Sequence, residues 1–333
     1  MGETAVNRRE ILKAGMGSLT AVAAGLPAMG PARAADWPTK AVRVVVPYAP
    51  GSATDLVPRT VLEQVGHDVG QSFVVENRPG GGTTVGSNQV KQADPDGYTM
   101  LIHSNAIVTV PAIQANVPYD PVADFSAITP LGNVPMVLVV APSKGIKSVK
   151  ELVAKAKANP GQINYGAAGI GTPPHLAMER FRLAAGFEGQ LVPFKGAPEA
   201  LTETMTGRID IYFAPITPAL PLIRDGKLLA LTVASSKRAS ALPDVPTSIE
   251  AGVPDSDFDF WVGAFVPKKT PRDVVAKMHA SIVKAIKTPS VQEKLGKLGV
   301  EELIMTPEAF DARIAKEAVI AKKLAKDAKI EPQ

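Results

Sequence analysis

The chain has 333 residues, 45% apolar and 20% charged, a length that suits two domains and a balance that buries a full core and excludes disorder as the main state. The net charge is +4, and the four basic and two acidic residues among the first 34 leave only +2 for the rest, too little to point to nucleic acid. With no cysteine, a thiol nucleophile, a zinc–thiolate centre and a disulfide framework are all excluded.

Residues 1–34 read as a targeting segment. Arg8 and Arg9 precede Ile11, Leu12 and Lys13, an apolar run diluted by glycine extends to Leu26, and Ala32-Arg33-Ala34 has the form of a cleavage site. The segment resembles a twin-arginine export signal, and the mature chain is expected to start near Ala35, cleaved after Ala34, and to work in the periplasm. An uncleaved anchor is the alternative, but the run is shorter than the roughly 20 residues a span needs.

The β-branched stretch 42–46 has the composition of a buried strand, stopped by Pro47, Pro50 and Gly51. Ser52, Thr54 and Asp55 then stand where a helix begins, ahead of an apolar stripe of Leu56, Val61 and Leu62. Such a corner offers free N–H groups and the positive end of a helix dipole to an anion. A strand over 72–76 leads into Asn77-Arg78-Pro79-Gly80-Gly81-Gly82-Thr83, which fits neither G-x-G-x-x-G nor a P-loop, so no nucleotide cofactor is expected. After the turn Asp94-Pro95-Asp96-Gly97, a strand over 98–102 delivers His103, Ser104 and Asn105 to its carboxyl end, where ligands sit in open α/β sheets.

Short strands at 128–131 and 137–140 precede a helix over 149–158 capped by Ser148, and the pattern then restarts. A strand over 163–165 runs into Gly166 to His175, with Thr172 as cap and Pro173 at the first helical position, a second glycine-rich corner of the same kind. Segments 191–194, 198–205, 209–213 and 229–234 complete a second strand-and-helix set. An aromatic strand around Phe258, Phe260 and Trp261 carries the chain back, and helices fill the remainder to a last one over 307–326.

No G-x-S-x-G elbow, H-E-x-x-H helix or metal-spaced cluster is present, so neither catalytic nor metal-binding residues are assigned. His67 and His279 read as solvated helix residues, His175 as a local packing or capping residue, and His103 as either a ligand contact or a structural ring. Ser52, His103 and Asp55 could be drawn as a triad, but their spacing gives it no support.

Six stretches in order resemble the periplasmic solute-binding receptors of the tripartite tricarboxylate transporters, the Bug receptors. They are Val46-Pro47-Tyr48-Ala49-Pro50-Gly51 through Asp55, Glu76-Asn77-Arg78-Pro79-Gly80, Asp94 to Thr99, Val192-Pro193-Phe194-Lys195-Gly196, Gly207-Arg208-Ile209-Asp210 and Leu242-Pro243-Asp244-Val245-Pro246-Thr247. The resemblance implies an α/β, two-domain periplasmic-binding-protein fold of the type II kind, with the ligand in the interdomain cleft. Domain 1 would comprise 35–140 and 259–333, and domain 2 would comprise 141–258, with crossings near 139–143 and 258–262. It implies a monomer that captures a small mono- or dicarboxylate without a cofactor and delivers it to membrane-embedded transporter subunits, binding no nucleic acid. Ligand contacts would come from Tyr48, Ser52, Thr54, Asp55, Thr83, His103, Ser104, Asn105, Gly169, Gly171 and Thr172, the anion being held by helix N-termini and the hydroxyls of Ser52, Thr54 and Thr172. The chain departs from the family pattern at Ser52, at His103 and at Ala214-Pro215. A secreted hydrolase or isomerase using the same cleft, or a scaffold protein, is the competing reading.

Overall fold

The computed structural model describes residues 37–327 and the first two residues; the targeting segment and its cleavage site lie outside the described residues. The valine run forms β1 (Val42–Val46), which pairs in parallel with β2 (Phe73–Asn77) on one side and β3 (Thr99–Ser104) on the other. Its side chains alternate between two cores. Val44 and Val46 join the apolar stripe of α1 (Ala53–Val69), whereas Val45 packs with Val90 of α2 (Thr84–Lys91). The β1–β2 and β2–β3 connections thus cover opposite faces and leave an open corner at the carboxyl end of β1.

β3 continues into α3 (Ala106–Ile113), and the sheet is completed by β4 (Phe125–Asn133) and by β10 (Trp261–Pro267), inserted antiparallel between β3 and β4. The order is β2-β1-β3-β10-β4. The second sheet repeats the plan with β5 (Met136–Val140), β6 (Ile163–Ala167), β7 (Gly189–Pro193), β8 (Ile211–Pro215) and β9 (Leu229–Val233), in the order β7-β6-β8-β5-β9. Here β6 is the central parallel strand and β5 the antiparallel insertion. The helices α4 (Val149–Ala158), α5 (Pro173–Ala185), α6 (Ala197–Met205) and α7 (Ile216–Arg224) connect these strands.

The passage between the sheets falls between Asn133 and Met136, one strand earlier than the expected crossing at 139–143, because β5 pairs with β8 and β9. The return passage runs beside it, with the Val134 amide donating to the Phe260 carbonyl at 2.7 Å.

Three helices, α8 (Arg272–Ile286), α9 (Pro289–Lys297) and α10 (Pro307–Asp327), finish the chain. α10 buries Phe310 and Ile314 in one helical stripe against the first sheet, where Phe310 meets Trp261 edge-on at 4.9 Å. Trp261 is fully buried and its indole N–H donates to the Glu317 carboxylate at 3.0 Å. Truncating such a residue to alanine costs roughly 3–5 kcal/mol. His67 is exposed as expected, but His279 is half-buried, with Nε2 3.1 Å from the Met305 carbonyl oxygen.

Candidate functional site

Each sheet ends the middle strand of its parallel portion, β1 or β6, in a glycine-rich corner. In the first, Gly51 takes φ +78°, and its amide donates to Asp55 Oδ2 at 2.9 Å. The other carboxylate oxygen of Asp55 accepts from Arg59 Nε at 2.8 Å and Asn77 Nδ2 at 2.9 Å, so the side chain is spent inside the corner. Ser52 Oγ and Thr54 Oγ1 lie 3.1 Å apart, both buried. The amides of Ala53 and Thr54, in the first turn of α1, have no intrahelical acceptor. They give this corner two donors and the dipole's positive end.

Beside it, the Tyr48 hydroxyl meets Ser104 Oγ at 2.6 Å, and Ser104 Oγ accepts the Ala106 amide at 3.1 Å. His103 lies edge-on against the Tyr48 ring, with centroids 5.5 Å apart. Its Nδ1 lies 2.9 Å from both the amide nitrogen and the carbonyl oxygen of Ser104, while Nε2 is buried with no partner among the described residues. Burial pushes the ring down to about 3, so it is neutral and offers the cleft no cation. Ser52, His103 and Asp55 do not form a hydrogen-bonded chain, and the triad is not assembled among the described residues. Asn105 Nδ2 donates to the Asp259 carbonyl at 2.8 Å, tying α3 to the return passage, and its Oδ1 is buried with no partner among the described residues.

Gly81–Thr83 forms a 3-10 turn ahead of α2. Thr83 adopts φ +89°, a left-handed conformation unfavourable for a β-branched residue, and its buried hydroxyl has no partner among the described residues. The Tyr119 hydroxyl, also without a hydrogen-bond partner among the described residues, belongs to the same buried cluster as Thr83 and Ser87.

In the second corner, Gly169 and Gly171 take φ +106° and +82°. The Thr172 hydroxyl donates to the Gly169 carbonyl at 2.7 Å. Pro173 and Pro174 occupy the first two positions of α5 and bring no N–H, and the Gly171 amide donates to His175 Nδ1 at 3.2 Å. This corner therefore resembles the first in shape and differs from it in donors. Its carbonyls face the other sheet: Thr109 Oγ1 of α3 donates to Gly171 O at 2.6 Å and Gln114 Nε2 to Ile170 O at 3.3 Å.

Between the corners lies a cleft of about 550 Å³, walled by Tyr48 and Ala49, by Gly80 to Thr83, by Ala168 and Gly169, and by Phe194 and Lys195. The walls touch at its edge, where a Cβ on Gly196 would stand 2.9 Å from that of Ala49. A groove of similar size between α1 and β2, lined by Arg59, His67 and Phe73, shares no residue with the cleft. Of the residues expected from sequence, Tyr48, Thr83 and Gly169 line the cleft directly. Ser52, Thr54, Asp55, His103, Ser104, Gly171 and Thr172 are buried and do not line it, and Asn105 lines a separate groove with Arg180 and Glu317.

Phe194, Lys195, Thr109 and Gln114 were not among the expected contacts. The first two stand at the carboxyl end of β7 within a stretch shared with the receptor family, a signal that could have found them. Lys195 is the one charged side chain in the wall, and its ammonium has no ion-pair partner among the described residues.

Comparison with known proteins agrees with this architecture. The profile described as the tripartite tricarboxylate transporter family receptor matches residues 57–329. A protein encoded in the tcbD–tcbE intergenic region of Pseudomonas sp. strain P51 is 36% identical over 275 residues, covering 82% of each chain. Among solved structures, the periplasmic binding protein BugD superposes with a TM-score of 0.84 at 33% identity, covering 89% of this chain and all of that one. Rpa4515 of R. palustris with adipate gives a TM-score of 0.86 at 30% identity, covering 90% and 100% of the two chains. MatC from Rhodopseudomonas palustris with bound malate gives 0.81 at 28% identity, covering 86% and 99%. From the profile match, the relatives and the shared two-sheet plan, the chain belongs to the tripartite tricarboxylate transporter receptor family, whose members are solute-binding receptors.

Proposed function

We propose that this receptor is exported by the twin-arginine route, cleaved after Ala34, and works as a periplasmic monomer that closes over a small organic dicarboxylate and passes it to the membrane subunits of its transporter. The lobes, one on each sheet, hinge at the two adjacent passages near 133–136 and 256–261. One observation carries the reading: a cleft of about 550 Å³ lies between two glycine-rich corners, with amide donors behind one wall and the unpaired Lys195 in another. A ligand with a carboxylate at each end suits this arrangement, one end toward the α1 dipole and the other toward Lys195. The two relatives crystallised with adipate and malate, both dicarboxylates, support the class. A role in which the cleft binds without reacting fits the family and the dispersal of Ser52, His103 and Asp55 into separate hydrogen-bond sets.

A thermal-shift screen of mono- and dicarboxylates, with neutral sugars and basic amino acids as controls, tests the proposal. A dicarboxylate at about 100 times its Kd should stabilise the protein by about 2.7 kcal/mol. Stabilisation by sugars or basic amino acids alone would overturn the ligand class. Replacing Arg8 and Arg9 by lysine should hold the precursor in the cytoplasm, and normal periplasmic yield would remove the export route.

A further inference from the structure

His175 belongs to no part of the cleft wall, yet it controls the peptide group that faces the opposite lobe. It sits in the first turn of α5, only 4% exposed, with Nδ1 accepting the Gly171 amide at 3.2 Å. A trans peptide is planar, and its N–H and C=O point in opposite directions. Drawing the Gly171 N–H inward onto His175 therefore turns the Ile170 carbonyl outward, and Gln114 of the first lobe donates to that carbonyl at 3.3 Å. The next carbonyl, that of Gly171, receives the Thr109 hydroxyl at 2.6 Å. Both cross-cleft bonds thus end on a backbone segment whose orientation is set from inside its own lobe by one imidazole nitrogen.

Two further features make this grip specific. At φ +82°, Gly171 has no side chain to limit its rotation, so without a hydrogen bond to its amide the peptide is held only by the bonds from the other lobe. His175 itself is seated one helical turn from Glu179, a buried carboxylate that accepts from the Tyr165 hydroxyl and from Arg182 Nε at 2.7 Å. The imidazole therefore hangs from a rigid part of the second lobe.

We propose that His175 is a positioning residue: by holding the Gly171 amide it aims the Ile170 and Gly171 carbonyls at Gln114 and Thr109, so that lobe closure requires a hydrogen-bond acceptor at this position. The link from closure to ligand affinity rests on the cleft being the carboxylate site.

The test compares His175→Ala with His175→Asn, whose side-chain oxygen can stand where Nδ1 stands. Hydrogen exchange at the Gly171 amide, followed by NMR, needs no ligand and should be about tenfold faster in His175→Ala and near wild type in His175→Asn. Spin labels at Val85→Cys and Thr202→Cys, one in each lobe of a chain that has no other cysteine, should show the short interlobe distance depleted in His175→Ala and restored in His175→Asn. With adipate and malate as probes, Kd should rise about tenfold in His175→Ala and recover in His175→Asn, while urea unfolding should find the two variants equally stable. Unchanged exchange and interlobe distance in His175→Ala, or the same loss in both folded variants, would overturn the inference. If neither acid binds the wild type, the proposed ligand class fails, while the exchange and distance measurements still decide the role of His175.

Discussion

The two glycine-rich corners occupy equivalent places, each leaving the central parallel strand of its sheet for the N-terminus of a long helix. Their chemistry diverges at the first two helical positions. Ala53 and Thr54 keep their amides, and the corner that carries them is braced from within by the Asp55 carboxylate on Gly51. Pro173 and Pro174 have no amides to keep, and their corner is braced by the His175 imidazole on Gly171. Fold symmetry creates the pair of corners, and the residues at the start of each helix decide which keeps free amides and which turns its carbonyls to Thr109 and Gln114.

The largest contrast should come from making the same substitution in both. A Cβ on Gly171 would lie 2.9 Å from Ile113 Cδ1 and 3.2 Å from the Val110 backbone, whereas on Gly51 the nearest atom is Pro198 Cγ at 3.7 Å. Both residues have positive φ, so either alanine costs roughly 1–2 kcal/mol of stability. Only Gly171→Ala also props the lobes apart, and its dicarboxylate affinity should fall about 100-fold, or roughly 2.7 kcal/mol, against a much smaller change for Gly51→Ala. Isothermal titration of the two variants checks this. Equal losses would mean that closure does not pass through Gly171.

Next in size is an exchange of donors. Ser52 already has φ −72° and ψ 162°, the extended conformation a residue before proline prefers, and Thr172 before Pro173 has nearly the same, −72° and 158°. Ala53→Pro should therefore preserve α1 and remove one amide, weakening carboxylate binding about 10- to 100-fold as one charge-assisted bond of roughly 1.5–3 kcal/mol is lost. Circular dichroism guards against a broken helix. Pro173→Ala, the reverse change, should leave affinity unchanged; an effect as large as that of Ala53→Pro would show that the corners share the anion.

Both corners were legible in the sequence because their signals are local: a β-branched run, prolines and glycines that stop it, and a capping residue before an apolar stripe. Strand β1 and helix α4 match their expected bounds for that reason. What escaped was set by neighbours. α3 is apolar on every side and contains Pro111, so no periodicity separates it from the end of β3, yet it supplies Thr109. α7 was missed likewise, opening at Ile216 straight after Pro215. The roles of Asp55 and His103 were equally hidden. A carboxylate and an imidazole near a cleft suggest ligand chemistry, and only the distances show that one is consumed by Gly51, Arg59 and Asn77 and the other is fully buried against the Tyr48 ring.

The histidines behind the corners give a comparison in pH. Burial pushes His103 down to about 3 and His175 down to about 4, below the ordinary 6.5. The unfolded chain then binds more protons, so stability is complete above about pH 6.5 and is lost as the pH falls toward the folded values, by roughly 1.4 kcal/mol per unit for each ring. In urea unfolding between pH 6 and 4.5, His175→Asn should lower the slope by about one proton, leaving the share of His103 in place. An unchanged slope would mean that the ring is already solvated.

The smallest expected effect falls on Thr172, one of the three hydroxyls expected from the resemblance to hold the anion. Thr172 is 1% exposed and has a single hydroxyl proton, which goes to Gly169 O at 2.7 Å. If that bond is its whole role, Thr172→Val removes about 1 kcal/mol of local stability, lowers Tm by roughly 2–4 °C, and changes Kd by less than about threefold. The half-buried Gly169 carbonyl can find water in place of the hydroxyl, so the corner need not rearrange. A tenfold or greater loss of affinity at unchanged Tm would instead put the hydroxyl on the ligand. The second corner would then be an anion seat in its own right, built from a side chain where the first uses its backbone.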